Sequence, residues 1–209
     1  MESKLPMTAT DSLYMRYHVT LESTMNFIES TYKDETMKIT GETMMNHAIK
    51  IAGMTEEIKC QDYLDYHLTW LVGLLSDVFS YSQAAYEQRV PEILAGLPDY
   101  ESKRIQNYIE QVNYNPKIAK GQKYKNMLDR VAEMDVIPCY IKLFELYIMI
   151  QHYKLNRHHF SKPEYEGYLA YAYMFWYKCI NRHYPIVNNI NKEVKATFVD
   201  VDKELGGMN

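Results

Sequence analysis

The chain has 209 residues, of which 47% are hydrophobic and 24% charged, and its formal net charge at pH 7 is −4. A chain of this length can bury enough surface to fold without disulfides or metal ions. Its abundant apolar residues and modest net charge exclude wholesale disorder. These values predict one globular domain spanning residues 1–209.

Helical spacing dominates the N-terminal half. Apolar residues spaced about four apart predict an amphipathic first helix from Leu13 to Tyr32, and a shorter one follows through Met44 and Ala52. Thr55 resembles an N-cap for a long helix reaching about Gln88, which is apolar on almost every side. Pro91 and Pro98 are expected to end helices, and Asp99 to cap the next one, with a turn at 113–116.

The C-terminal half continues the pattern. A helix is predicted over 117–133, and Asp135 is expected to cap the next. Ser161 and Glu164 have the spacing of a capping box, which predicts a helix start there. The last predicted helix, at about 186–205, carries the narrow apolar seam Ile190, Val194, Phe198, Val201 and Leu205. The fold class is therefore all-α: a bundle-like domain of about seven to nine helices. Its core helices lie near 61–88, 136–157 and 162–183, and the C-terminal amphipathic helix is peripheral.

Several large classes of function lack their sequence signatures. The chain has no glycine-rich phosphate loop, no G-x-S-x-G and no H-E-x-x-H. His18 with Glu22, and Cys179 with His183, are each one helical turn apart, but two ligands do not make a zinc site. The expectation is therefore no enzyme activity, no cofactor and no metal.

The cellular compartment of the protein is inferred from its cysteines and from its N-terminal sequence. Cys60, Cys139 and Cys179 are far apart in sequence and give no disulfide pattern, which favours a reducing compartment. The N-terminus has no signal-peptide pattern, and the longest uncharged stretches are about half of the roughly 20 residues that a membrane span requires. An intracellular soluble protein, or part of a particle assembled there, is expected.

Charge is distributed unevenly along the chain. Residues 1–100 hold 7 Lys/Arg and 15 Asp/Glu, whereas residues 101–209 hold 16 and 12. Basic residues interleaved with tyrosines between 103 and 130 suggest an anion-binding or nucleic-acid-binding face. Its members are Lys103, Arg104, Lys117, Lys120, Lys123, Lys125 and Arg130. The alternative is that these residues form the solvated side of amphipathic helices.

Twenty tyrosines and thirteen methionines are the remaining unusual feature. One core cannot easily satisfy so many phenolic hydroxyls, and both residue types are common at interfaces. The leading hypothesis is a non-enzymatic assembly or adaptor protein, such as a subunit of a phage or viral particle, or an inhibitor or immunity-type partner. Its partner would be another protein or a second copy of itself, bound through the C-terminal seam. The alternatives are nucleic-acid binding through residues 103–130, and a ligand-binding or enzymatic bundle with a Tyr/His-lined pocket.

Overall fold

A computed structural model describes residues 9–37, 41–54, 63–183 and 190–206 of the chain. These residues form an all-α structure, which confirms the predicted fold class. In these ranges the α-helices are α1 (Ala9–Tyr32), α2 (Met44–Met54), α3 (Tyr63–Tyr81), α4 (Gln83–Leu94), α5 (Asp99–Val112), α6 (Lys123–Arg130), α7 (Val136–Leu155), α8 (Lys162–Arg182) and α9 (Lys192–Glu204). The one β feature among them is an isolated bridge between Thr36 and Thr43, just before α2.

Two predicted helix starts are present. At α8 the Glu164 N–H donates to Ser161 Oγ at 3.4 Å, and the Ser161 N–H donates to Glu164 Oε2 at 3.0 Å. This reciprocal pair is the capping box. Asp135 occupies the N-cap position of α7. The predicted cap at Thr55 lies outside the described residues.

The prediction of one continuous helix to Gln88 is wrong, because the chain breaks at Ser82. Its backbone is extended, with φ −146° and ψ 93°, and its Oγ accepts a hydrogen bond from the Ala85 N–H at 3.2 Å. Ser82 thus ends α3 and caps α4. Pro91 lies inside α4 and does not end it. The Glu87 carbonyl that loses its helical partner there belongs to an exposed residue, so water can satisfy it.

Two apolar clusters form the interior. One joins α1–α5, and the other joins α6–α9. α7 belongs to both, since Ile141 and Ile148 pack into the first cluster while Leu143 and Phe144 pack into the second. Although α3 is buried along almost its whole length, no helix in the described ranges is long and apolar enough to cross a membrane.

The C-terminal helix is amphipathic, as predicted, and it buries its apolar seam against the rest of the domain. Val194, Phe198 and Val201 are each at most 1% exposed, and the Phe198 ring stacks on Trp176 with centroids 5.1 Å apart. The apolar seam therefore packs against α7 and α8 of the same chain. A separate protein could use this seam only if α9 left these contacts.

A close approach between α2 and α3 positions the polar residues described below. A methyl group added at Gly73 would lie 3.2 Å from Ala52 Cα, so the two backbones cross almost in contact. His47 and Asp77 each lie about one turn from this crossing on the two helices. Their side chains face one another as a result.

Candidate active site

A cleft of about 870 Å³ opens where α2, α3, α6, α7 and α8 meet. Its lining combines methionines, tyrosines and ionisable side chains. They are Met37, Met44, His47, Asp77, Ser80, Tyr81, Tyr114, Gly121, Lys123, Tyr124, Glu145, Met149, Tyr153 and Tyr168. A larger groove of about 1110 Å³ runs between α1 and α4, but its charged residues Arg16, Arg89 and Glu92 are all exposed. The smaller cleft, by contrast, is lined by the buried ionisable residues His47 and Asp77.

A histidine and an aspartate form the innermost part of the cleft. His47 Nε2 lies 3.9 Å from Asp77 Oδ2, and their side chains are only 1% and 11% exposed. Burial raises the pKa of Asp77 well above its usual range, and the nearby Glu145 raises it further. Burial lowers the pKa of His47, despite the nearby carboxylates Glu145 and Glu42. Burial thus favours the uncharged form of both members of the pair.

Beside this pair, α7 contributes a buried lysine–glutamate pair. Lys142, 1% exposed, donates to both carboxylate oxygens of Glu145 at 2.9 and 2.8 Å. Burial alone would lower the pKa of Lys142, but Glu145, Tyr114 and Asp77 raise it above its ordinary value. The ammonium also lies 4.5 Å from the centroid of the Tyr114 ring. Lys142 holds the Glu145 carboxylate at the cleft while staying out of solvent itself.

Glu42, just before α2, joins the cluster from the other side. It forms an ion pair with Lys50, and its Oε2 lies 3.6 Å from His47 Nδ1 and 3.5 Å from His152 Nε2. The Lys50 hydrogen bond and charge lower the pKa of Glu42 against the opposing effect of burial. Glu145 and Glu42 are thus each paired with a lysine, Lys142 and Lys50 respectively. Lys123 adds a positive charge at the cleft wall.

The walls are tyrosine rings in stacked pairs. Tyr124 stacks on Tyr171 with centroids 4.2 Å apart, and Tyr153 stacks on Tyr168 at the same spacing. The Tyr114 hydroxyl donates to the Tyr171 hydroxyl at 3.1 Å. Burial raises the pKa of Tyr168 and of Tyr171 well above the usual value, so both phenols stay protonated. The result is a neutral aromatic surface with a hydroxyl network behind it.

Sequence reasoning did not single out His47, Asp77, Lys142 or Glu145. A signal was present, because these are ionisable residues inside helices that are otherwise apolar, where an unpaired charge is costly. His152, a histidine of α7, reaches the cluster through Glu42. His183 lies elsewhere, with Nε2 2.9 Å from the Met134 carbonyl oxygen.

The predicted basic residues occupy several environments. Lys103, Lys117 and Lys125 are exposed, and the Lys120 side chain lies outside the described set. Arg104 lies over the Tyr108 ring, and Arg130 donates to the carbonyls of Asn113 and Glu110. Lys123 is the member of this group that lines the cleft, 5.9 Å from the Tyr114 centroid.

The residue pairs considered for metal binding have other surroundings. His18 and Glu22 are exposed on α1. Cys179 is buried against Cys139, a contact between α8 and α7 that the sequence spacing did not reveal. Within the described ranges, no three His, Cys, Asp or Glu side chains are placed to share a metal ion.

Comparisons with known proteins find a match among solved structures but none by sequence. No family model matches the sequence, and no curated protein matches it. A solved structure described as a metazoan ortholog of SpoT that hydrolyses ppGpp is similar over 98% of this chain and 99% of its own, with a TM-score of 0.66 and 13% sequence identity. At this identity the likeness establishes the fold.

This likeness corrects the functional hypothesis. The expectations of a non-enzymatic protein, and of a structural or viral assembly subunit, are wrong, because the chain shares its whole helical arrangement with a hydrolase. The absence of familiar catalytic motifs misled the prediction, since those motifs belong to other folds. The Tyr/His-lined pocket is the alternative that the structure supports better.

Proposed function

We propose that this protein is a hydrolase that cleaves a phosphate ester in a small nucleotide bound in the cleft. The observation that carries the proposal is the pairing of buried Asp77 with buried His47 at the floor of an aromatic-walled cleft. Ionisable groups whose environments shift their pKa values in a concave site are typical of acid–base catalysis. The similarity to a ppGpp hydrolase adds a substrate class to test: guanine nucleotides carrying diphosphate groups.

The tyrosine walls suit the base of such a ligand. Tyr124 lines the cleft, is stacked by Tyr171 and is still 41% exposed, so part of its ring surface remains open. Stacking of a base on an aromatic side chain contributes about 1–3 kcal/mol and tolerates different bases. The stacked pair is rigid before the ligand arrives, which lowers the entropic cost of binding.

The charge arrangement suits the phosphates. Lys142 is paired with Glu145, Lys50 is paired with Glu42, and burial favours the protonated form of Asp77. These acidic residues therefore repel an anion less than three free carboxylates would. Lys123 then supplies a cation at the wall. Of the predicted basic residues, it is the one placed to meet a phosphate group in this cleft.

The chemistry follows from the protonation states. Water attacks phosphorus, the phosphorus–oxygen bond to the leaving group breaks, and Asp77 donates its proton to the leaving oxygen. Glu145, held by Lys142, accepts the proton that the attacking water loses. Such proton transfers each contribute roughly 100- to 10,000-fold to a rate.

The first experiment tests hydrolysis directly. Purified protein is incubated with ppGpp, and products are followed by anion-exchange chromatography. Asp77→Asn should lose at least about 100-fold of the rate, since the amide has no acidic proton to give. Asp129→Asn, a matched change on the exposed side of α6, should keep it. No conversion of ppGpp or related guanine nucleotides by the unmodified protein would refute the proposal.

A second experiment tests the aromatic wall by calorimetry with the Asp77→Asn protein. Tyr124→Ala should weaken nucleotide binding about 10-fold, which corresponds to the loss of one stacking contact. Tyr177 is exposed to a similar degree, 44%, but does not line the cleft, so Tyr177→Ala is the matched control. Equal affinities in the two variants would contradict the proposed binding mode.

A further inference from the structure

Four ionisable side chains form a line from the cleft floor toward the outside. Asp77 Oδ2 faces His47 Nε2 at 3.9 Å, His47 Nδ1 faces Glu42 Oε2 at 3.6 Å, and the same Glu42 oxygen faces His152 Nε2 at 3.5 Å. Imidazole passes protons because one nitrogen can accept while the other donates. The two histidines alternate with the two carboxyl groups along the whole line.

The two ends of this line are more exposed than its middle. The side chains of His47 and Glu42 are 1% and 9% exposed, whereas those of Asp77 and His152 are 11% and 18% exposed. Asp77 opens on the cleft, and His152 lies at the other end of the line. Once a ligand covers Asp77 in the proposed reaction, His152 is the end of the line that still meets water.

Two buried polar atoms on this line lack good hydrogen bonds. Among the described residues, neither Asp77 Oδ2 nor His47 Nδ1 has a hydrogen-bond partner, although both are buried. A buried polar atom without a partner costs about 1–3 kcal/mol. Each gap exceeds a normal hydrogen bond by less than about 1 Å, so small side-chain rotations would connect the line.

We propose that Asp77, His47, Glu42 and His152 form a proton relay that restores the acid form of Asp77 from solvent after each catalytic cycle. This role rests on the proposed hydrolase function. After Asp77 has given its proton to the leaving group, His47 donates its Nε2 proton to Asp77. His47 Nδ1 takes a proton through the Glu42 carboxyl from protonated His152, and solvent reprotonates His152. The transfer leaves His47 protonated at Nδ1, and a flip of its ring then returns this proton to the side of Asp77, so the relay begins the next cycle with the protons it started with.

The charges around the relay are compatible with this direction. Lys50 on α2 forms an ion pair with Glu42, and Glu145 and Lys142 on α7 face Asp77 and His47. Glu42 is thus a carboxylate able to accept a proton from His152, while Asp77 favours holding one. These ion pairs keep the line close to neutral overall.

The relay can be measured without substrate, by NMR of the His47 ring N–H in the ligand-free protein. The measurement is made in the Asp77→Asn protein, because the amide cannot pass a proton between the cleft and His47. The ring proton then exchanges with solvent either through His152 or by opening of the helices. In this background His152→Asn should slow exchange roughly 10-fold near neutral pH, and His158→Asn, on an exposed turn, should not. Glu42→Gln is a second variant that breaks the line with little change in shape and should slow exchange similarly. Unchanged exchange in both relay variants, in protein that melts like its Asp77→Asn parent, overturns the relay.

Measuring the rate of ppGpp hydrolysis distinguishes failure of the relay from failure of the proposed function on which it rests. If ppGpp is hydrolysed, His152→Asn should lower the rate roughly 10-fold, and added imidazole should restore part of it, as expected for a lost proton carrier and not for a lost structural contact. An unchanged rate with no effect of imidazole refutes the relay alone. If ppGpp is untouched but exchange is slowed, the proposed substrate fails and the relay stands.

Discussion

At the scale of the residue, the unusual feature is the number of ionisable groups that this chain buries. Asp77, Lys142 and His47 are all enclosed by helices, and each must be neutral or paired to remain there. Lys142 is paired with Glu145, whereas burial favours the uncharged forms of Asp77 and His47. Ionisable groups kept in a core are a cost to stability, which is why they point to a functional site.

Asp77 should make the stability of the protein depend on pH. Since burial raises its pKa in the folded state, the folded protein retains a proton that the unfolded chain releases once pH exceeds the ordinary value of 3.8. The free energy of unfolding contributed by Asp77 is thus full below that pH and declines as pH rises toward the folded-state pKa. Asparagine does not titrate. Asp77→Asn should therefore gain stability relative to the unmodified protein as pH rises from about 4 to neutral.

Urea unfolding of both proteins across this pH range measures the difference. Asp129→Asn supplies the control for an exposed aspartate. A constant difference between Asp77→Asn and the unmodified protein would show that Asp77 ionises as readily in the fold as in the unfolded chain.

At the scale of the element, local signals decided where helices begin, and tertiary contacts decided how they cross. The capping box at Ser161 and the cap position at Asp135 could be read from sequence because both depend on a few neighbouring residues. The break at Ser82 was missed, since a serine inside an apolar pattern also fits a continuous helix. The crossing of α2 and α3 at Gly73 had no local signature at all.

Gly73 should be intolerant of even one added methyl group. Alanine favours a helix over glycine by roughly 1 kcal/mol, but at Gly73 its Cβ would press on the Ala52 backbone at 3.2 Å. Overpacking of this kind costs about 1–3 kcal/mol, so Gly73→Ala should be destabilising overall. Gly167→Ala in α8 is the matched control, because its Cβ would meet nothing within 4 Å and should stabilise the helix. Thermal melting of the two variants should shift in opposite directions, and a shared upward shift would refute the close approach.

At the scale of the whole molecule, the two apolar clusters are joined by α7 and closed by α9. Ile141 and Ile148 of α7 pack with the N-terminal helices, and the Phe198 ring of α9 stacks on Trp176 of α8. The seam proposed as a docking surface is thereby occupied by the chain's own core. Partner binding through that seam would compete with folding.

Phe198 tests this arrangement. Its side chain is 0% exposed, and removing a buried phenyl ring costs about 3–5 kcal/mol, so Phe198→Ala should lower the urea midpoint strongly. Val199, the next residue, is 42% exposed, and Val199→Ala should change stability little. Because α7 shares both clusters, unfolding should remain a single transition in circular dichroism. Equal urea midpoints for the two variants would show that the packing of Phe198 does not stabilise the fold.

The sequence by itself determined the helical class, several helix boundaries and the excess of tyrosine. Those properties depend on apolar periodicity, on capping within one turn and on composition, which are all local or additive. It also pointed to a tyrosine- and histidine-lined pocket as one of three functional hypotheses. The basic residues of 103–130 were visible too, and among those whose side chains the structure describes Lys123 is the one that reaches the cleft.

Only the tertiary structure decided which ionisable residues belong together. Glu42 and His47 come from α2 and the segment just before it, Asp77 from α3, and Glu145 and His152 from α7. These three parts of the chain are tens of residues apart in sequence. No spacing rule within one helix brings them together, because their meeting depends on the crossing of α2 over α3 and on the position of α7 beneath both. The tertiary structure also decided where many of the tyrosines lie. Five of them line the cleft, where their rings stack and their hydroxyl groups hydrogen-bond to one another, which a simple apolar core would not allow.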